Sequence, residues 1–138
     1  MTKARQSGRV TLLLLLIAAF ALLSLVSGAS YLEAVLPGGL PFGNALVAIG
    51  LCAAAGSAVM LSARSTALRL LSIASLSGAA IWLPISIALA GNLQLNFSGE
   101  KGVAWLVLSL AVVAAVLGTL VWAVVARLLA KYRRRGAA

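Results

Sequence analysis

The five residues "SARST" (62–66) are all that separates two long apolar stretches, and no glycine or proline falls among them. Read as one continuous helix centred in a bilayer, the flanking stretches would bring Arg64 and Arg69 to mid-membrane. Each charge there costs about 3 kcal/mol or more. A tight hairpin between two crossings avoids that cost: Arg64 lies in the turn, Ser65 caps the helix that follows, and Arg69 snorkels back to the same surface. The reading of these five residues therefore sets the number of crossings.

A helix needs about 20 apolar residues to cross about 30 Å of hydrocarbon. Working outward from the hairpin, four runs qualify: 10–28, 44–63, 66–90 and 103–126, the last continuing as a basic helical tail to 130. No charge separates Arg9 from Glu33, and residues 12–16 are consecutive leucines. Pro37, Gly38, Gly39, Pro41 and Gly43 break any helix between the first two runs, and Asn44 is placed to cap the second. The expected fold is an all-α integral membrane protein, one domain over 1–138, with four transmembrane helices (10–28, 44–63, 66–90, 103–130) in an antiparallel bundle. The basic start, the first apolar run and "SGA" (27–29) also read as a secretory signal peptide cleaved after Ala29. That run is longer than the usual apolar region of about 7–15 residues, so the helix is expected to be retained.

Composition agrees with lipid as the solvent. Of 138 residues, 63% are hydrophobic and 9% charged, against about a quarter charged in a soluble domain. The net charge of +9 arises from 11 Lys and Arg against two acids. These cations flank apolar runs instead of forming a patch with interleaved aromatics, so headgroups, not nucleic acid, are the expected anion. Lys3, Arg5, Arg9, Arg64, Arg69, Arg127, Lys131, Arg133, Arg134 and Arg135 fall on one side of the four-crossing map and Lys101 alone on the other. Cytoplasmic loops retain Lys and Arg, which predicts both termini in the cytoplasm. Tyr31 and Trp105 then lie near the outer headgroups, Trp122 and Tyr132 near the inner ones. The alanine- and arginine-rich composition points to a bacterial inner (plasma) membrane.

The inventory for chemistry is poor. There is no histidine, and Cys52 is the one cysteine, which excludes an intrachain disulfide, a CxxC pair, a Cys/His zinc site and a histidine-ligated haem within this chain. Glu33 and Glu100 are the two acids, both assigned to outer loops, whereas acid–base or nucleophilic catalysis needs at least two cooperating groups. "LPGGLPFG" (36–43) lacks the strand, helix start and lysine of a phosphate loop. The chain is expected to be no enzyme, with no catalytic, cofactor-binding or metal-binding residues. If the first helix continued to Val35, Glu33 would follow Ser27 and Ser30 at three-residue spacing, a polar ridge suited to a proton or cation. Neighbouring Tyr31 and Pro37 instead place it at the headgroups. "LQLNF" (93–97) alternates apolar and polar residues and is expected to lie extended along the outer interface.

Lipid tails are as apolar as leucine, so helices associate in a bilayer through small residues that permit close approach. At 100° per residue, Gly50, Ala53, Ala54 and Ser57 share a face of the second helix; Ser72, Ser75, Ala79, Trp82 and Ser86 share one on the third; Ala111, Ala114, Ala115 and Gly118 share one on the fourth. The leucine-rich first helix has no such stripe in its N-terminal half and is expected to face lipid or a large partner. The serines are read as small residues that bond back to their own backbone. The function expected from this pattern is a non-catalytic accessory, assembly or structural subunit of a larger membrane complex, or a self-associating bundle. Its basic tail (Arg127, Lys131, Arg133, Arg134, Arg135) would contact anionic headgroups. The alternative is a small oligomeric transporter or channel that uses Glu33 and the third-helix serine stripe.

Overall fold

A computed structural model describes the backbone of residues 3–62 and 65–135 and the side chains of 6–62 and 65–133. Arg64, expected in the hairpin turn, lies outside the described residues, as do the side chains of Lys3, Arg5, Arg134 and Arg135. The chain forms α1 (Lys3–Ser27), a short 3-10 helix (Ser30–Glu33), α2 (Phe42–Leu61), α3 (Thr66–Ala90) and α4 (Glu100–Arg135). All four α-helices are long and apolar enough to cross a membrane.

Local chemistry explains where they start and stop. Ser65 is the N-cap of α3, its side chain accepting the Leu68 N–H at 3.4 Å, and Gly91 ends the helix with a φ of +72° that suits glycine. Asn44 is not the cap of α2. The helix begins at Phe42 behind an extended Pro41, and the Asn44 N–H donates to the Pro41 carbonyl from within the first turn. Proline before the first helical residue sets the entry angle without side-chain capping. Helix α1 begins before Val10 and α4 runs past residue 130: Lys, Arg and Gln in the polar flanks are good helix formers, and Ser7 and Gly8 in the first flank do not interrupt the ladder.

The connections at the far end from the hairpin are ordered. Residues 34–42 fold back on themselves: Val35 pairs with Pro41, the Leu36 N–H donates to the Leu40 carbonyl at 2.9 Å, and the Gly39 N–H to the Leu36 carbonyl at 2.9 Å. Pro37 and Gly38, the latter at φ +99°, supply the two central residues that a type II turn requires. Leu93 from the α3–α4 loop packs on Gly38 and Gly39, joining the two connections. The stretch 93–97 is not extended. Leu95 sits in the left-handed region at φ 57°, and the Asn96 N–H bonds to the Asn92 side chain at 3.1 Å, a local turn that outcompetes the alternating pattern.

Helix α2 is the centre of the packing, touching α1, α3 and α4. Along α1 and α2 the facing pairs are Leu14 with Gly56, Ala21 with Gly50, and, beyond α1, Leu32 with Gly43, so numbers fall on one segment as they rise on the other. The same holds for α3 and α4, where Ser75 faces Ala115, Trp82 faces Ser109 and Ser86 faces Trp105. Ala54, Ala55, Ala79 and Val116 form one core layer; Ala58, Leu68 and Ala123 form another beside the α2–α3 hairpin. On α1 the small residues Thr11, Ala21 and Ser24 are buried, while Leu12, Leu13, Leu16, Leu22 and Leu23 are exposed.

Candidate functional site

The third-helix stripe is the most polar feature of the interior. Ser72, Ser75, Ala79, Trp82 and Ser86 are all buried, as their alternating three- and four-residue spacing requires of one helix face. Each serine has an acceptor on its own helix: the Ser72 hydroxyl reaches the Leu68 carbonyl at 2.8 Å, Ser75 the Leu71 carbonyl at 3.0 Å, and Ser86 the Trp82 carbonyl at 2.7 Å. Their remaining capacity is used across helices. Ser72 lies 3.0 Å from the Ser62 hydroxyl at the end of α2, and the Thr119 hydroxyl of α4 is 3.3 Å from Ser75. The Trp82 indole donates to Ser109 at 2.9 Å, and the Trp105 indole donates to Ser86 at 3.1 Å while its ring stacks on Phe97 at 4.8 Å.

The bonds of Ser75, Trp82 and Ser86 form a seam along the α3–α4 contact, and the Ser62–Ser72 pair ties the end of α2 to α3. Among the described residues, no buried side-chain nitrogen or oxygen lacks a partner. Each buried hydroxyl of the stripe thus has a partner within the bundle.

Glu33 is exposed and belongs to the 3-10 helix, not to α1. Helix α1 stops at Ser27, Gly28 follows at φ +60°, and the Ser27 hydroxyl turns back to the Ser24 carbonyl at 2.8 Å. The ridge of Ser27, Ser30 and Glu33 that a helix continued to Val35 would make does not form. Beside Glu33, Tyr31 meets Phe42 edge-on at 6.1 Å, fastening this turn to the start of α2.

The small residues divide into two groups. On α2, Ala53, Ala54 and Ser57 are buried, and Gly50 faces α1 so closely that an added Cβ would lie 2.7 Å from the Ala21 Cβ. Ala55 and Ala58 are also fully buried and were not part of the expected stripe. The signal for them is the run "AAAGSA" (53–58), small all the way round, which a helix contacted from three sides needs. On α4 the geometry is reversed: Ala111, Ala114, Ala115 and Gly118 are exposed. They form one wall of an outward groove of about 690 Å³ whose other wall includes Ala74 and Gly78 of α3. The buried face of α4 is instead Val116 and Ala123, with Val112 and Leu120 packed against the core.

Arg127, Lys131 and Arg133 are exposed on the unbroken last turns of α4, and Arg134 and Arg135 continue that helix. Cys52 is partly buried on α2 and lines an apolar groove with Leu14 and Ile17 of α1 and Pro84 of α3. No protein-family model matches this chain, and neither a curated protein nor a solved structure is similar to it.

Proposed function

We propose that this chain is a non-catalytic integral membrane protein that acts by helix–helix interaction, as an accessory, assembly or structural subunit of a larger membrane complex. In this reading the four helices form an antiparallel bundle in a bacterial inner membrane, with both termini in the cytoplasm and the basic ends held by anionic headgroups. The observation that carries it is the outward position of Ala111, Ala114, Ala115 and Gly118. Small residues let backbones approach closely, and although the Ala115 carbonyl accepts from Ser75, the side chains of these four remain exposed. A groove walled by small residues on α3 and α4 is the surface a further transmembrane helix needs, from a larger protein or from a second copy of this chain.

The test is purification from native membranes in mild detergent. The protein should come down with a larger membrane partner, and Gly118→Leu, which fills the groove where an added Cβ meets nothing within 4 Å, should release it. Recovery only as a free monomer, with every membrane complex intact after deletion of the gene, would overturn the proposal.

A further inference from the structure

Helix α2 packs against both α1 and α4, but α1 and α4 make no substantial contact with each other. Between them lies a cleft of about 380 Å³, within the range of about 300–1,000 Å³ usual for ligand pockets. One wall is α1 around Ala19, the other is α4 at Val113, Leu117 and Leu120, and the floor is α2 at Gly50 and Ala54. Every lining residue is apolar. In a bilayer such a cleft is filled, because bare walls forfeit their dispersion contacts.

The chemistry at its end points to the occupant. At 100° per residue, Val113, Leu117, Leu120, Val124, Arg127 and Lys131 all fall within about 40° of one line along α4, and Val124, Arg127 and Lys131 are exposed. The apolar wall therefore runs straight into two cations. Glu33 and Glu100, the chain's two acidic side chains, stand at the opposite end of the bundle, so neither neutralises them. From Arg127 down to Val113 is 14 residues, a span of about 21 Å. One leaflet has the same depth, about 15 Å of hydrocarbon and about 5–8 Å of headgroup. An anionic head carrying an apolar tail of leaflet length thus matches the stripe from end to end.

We propose that the α1–α4 cleft binds an acyl chain of an anionic phospholipid from the leaflet on the α2–α3 hairpin side, with Arg127 and Lys131 holding its phosphate. The site needs head and chain on one molecule, whereas attraction of the basic tail to headgroups in general needs no particular chain. The proposal rests on the four helices crossing a bilayer and not on the subunit reading. Ala111 and Gly118, in the α3–α4 groove, lie about 140–160° around α4 from Val113, so the two faces can be tested separately.

The protein in dodecyl maltoside is titrated with dipalmitoyl phosphatidylglycerol, dipalmitoyl phosphatidylcholine or dihexanoyl phosphatidylglycerol, and bound lipid per chain is counted by native mass spectrometry. Wild type should retain the long-chain phosphatidylglycerol at concentrations where it retains neither of the others; equal retention of all three would overturn the proposal. Ala19→Trp fills the cleft from an exposed position and leaves both cations in place. It should weaken binding by about tenfold or more, the equivalent of exposing about two methylenes. Leu117→Trp, exposed on the facing wall, makes the same test should Ala19→Trp fail to fold. Arg127→Gln with Lys131→Gln should erase the preference for phosphatidylglycerol over phosphatidylcholine, and Arg69→Gln with Arg133→Gln, an equal loss of charge away from the stripe, should not. Wild-type binding in the filled-cleft variants would reduce the lipid to a headgroup contact at the tail and overturn the site. Loss of a co-purifying membrane protein from those variants, with phosphatidylglycerol still bound, would assign the cleft to a partner helix and also overturn it. Failure of Gly118→Leu to release a partner would count against the subunit reading and leave these outcomes unchanged.

Discussion

Gly50→Ala tests the closest approach in the fold. The added Cβ would lie 2.7 Å from the Ala21 Cβ, whereas two carbons rest at about 3.5–4.0 Å. Neither atom can yield by rotation, because each is bonded directly to its own helix backbone, and Ala21 is only 2% exposed. Helices α1 and α2 must therefore separate by about 1 Å at this level, against an overpacking cost of about 1–3 kcal/mol. Since α2 is the main packing partner of α1, the loss falls on the docking of α1. In equilibrium unfolding in mixed micelles, followed by helical circular dichroism, the unfolding constant should rise by a factor of about 5–150. The same substitution at Gly118 places its Cβ in open space and should stay within about 0.5 kcal/mol of wild type. Wild-type stability for Gly50→Ala, or equal losses at both positions, would refute the reasoning from helix approach.

Three further outcomes are expected. Trp82→Phe and Ser109→Ala each break the 2.9 Å bond between α3 and α4, and a double-mutant cycle on unfolding should give a coupling of about 0.6–1.7 kcal/mol; additive losses would mean that the seam contributes nothing there. Glu33→Gln should leave partner recovery and proton flux in liposomes unchanged, because the carboxylate is an exposed loop residue outside the helix packing; a mutant that lost flux seen with wild type would restore the carrier reading. Cys52 should resist a charged, impermeant maleimide added from either side, since its groove is walled by Leu14, Ile17 and Pro84 and an apolar setting disfavours the reactive thiolate; fast reaction with the charged reagent would reveal a water path.

The four apolar helices are legible in the sequence because burying a charge in hydrocarbon is expensive. That single cost forces a break between two runs that no glycine or proline separates, and Ser65 then caps the new helix as a short hydroxyl side chain should. Helix ends are less legible. Hydropathy marks where the hydrocarbon stops, while the backbone ladder continues through Arg, Lys and Gln until something competes with it, so α4 outruns its apolar part. The hairpin of residues 34–42 was readable only as a break. Its pairing of Val35 with Pro41 depends on turn chemistry and on Leu93 arriving from a distant loop.

What the pattern of residues cannot carry is which face of a membrane helix turns inward. In water, periodicity separates a polar outside from an apolar inside; in lipid both faces are apolar, and the small-residue stripe of α4 looks like an interior seam whether or not its partner belongs to the same chain. Val116 and Ala123 face the core because α2 offers the matching small surface at Ala54, Ala55 and Ala58, a complementarity between two helices that neither sequence segment displays by itself. With that face occupied, Ala111, Ala114, Ala115 and Gly118 lie about 100–160° around the helix from Val116. Their outward turn follows from lateral packing alone, so Gly118→Leu, whose added Cβ meets nothing within 4 Å, should weaken a complex formed within the bilayer while leaving the unfolding of the isolated chain nearly unchanged; an equal loss in the isolated chain would mean that the groove is part of its own fold.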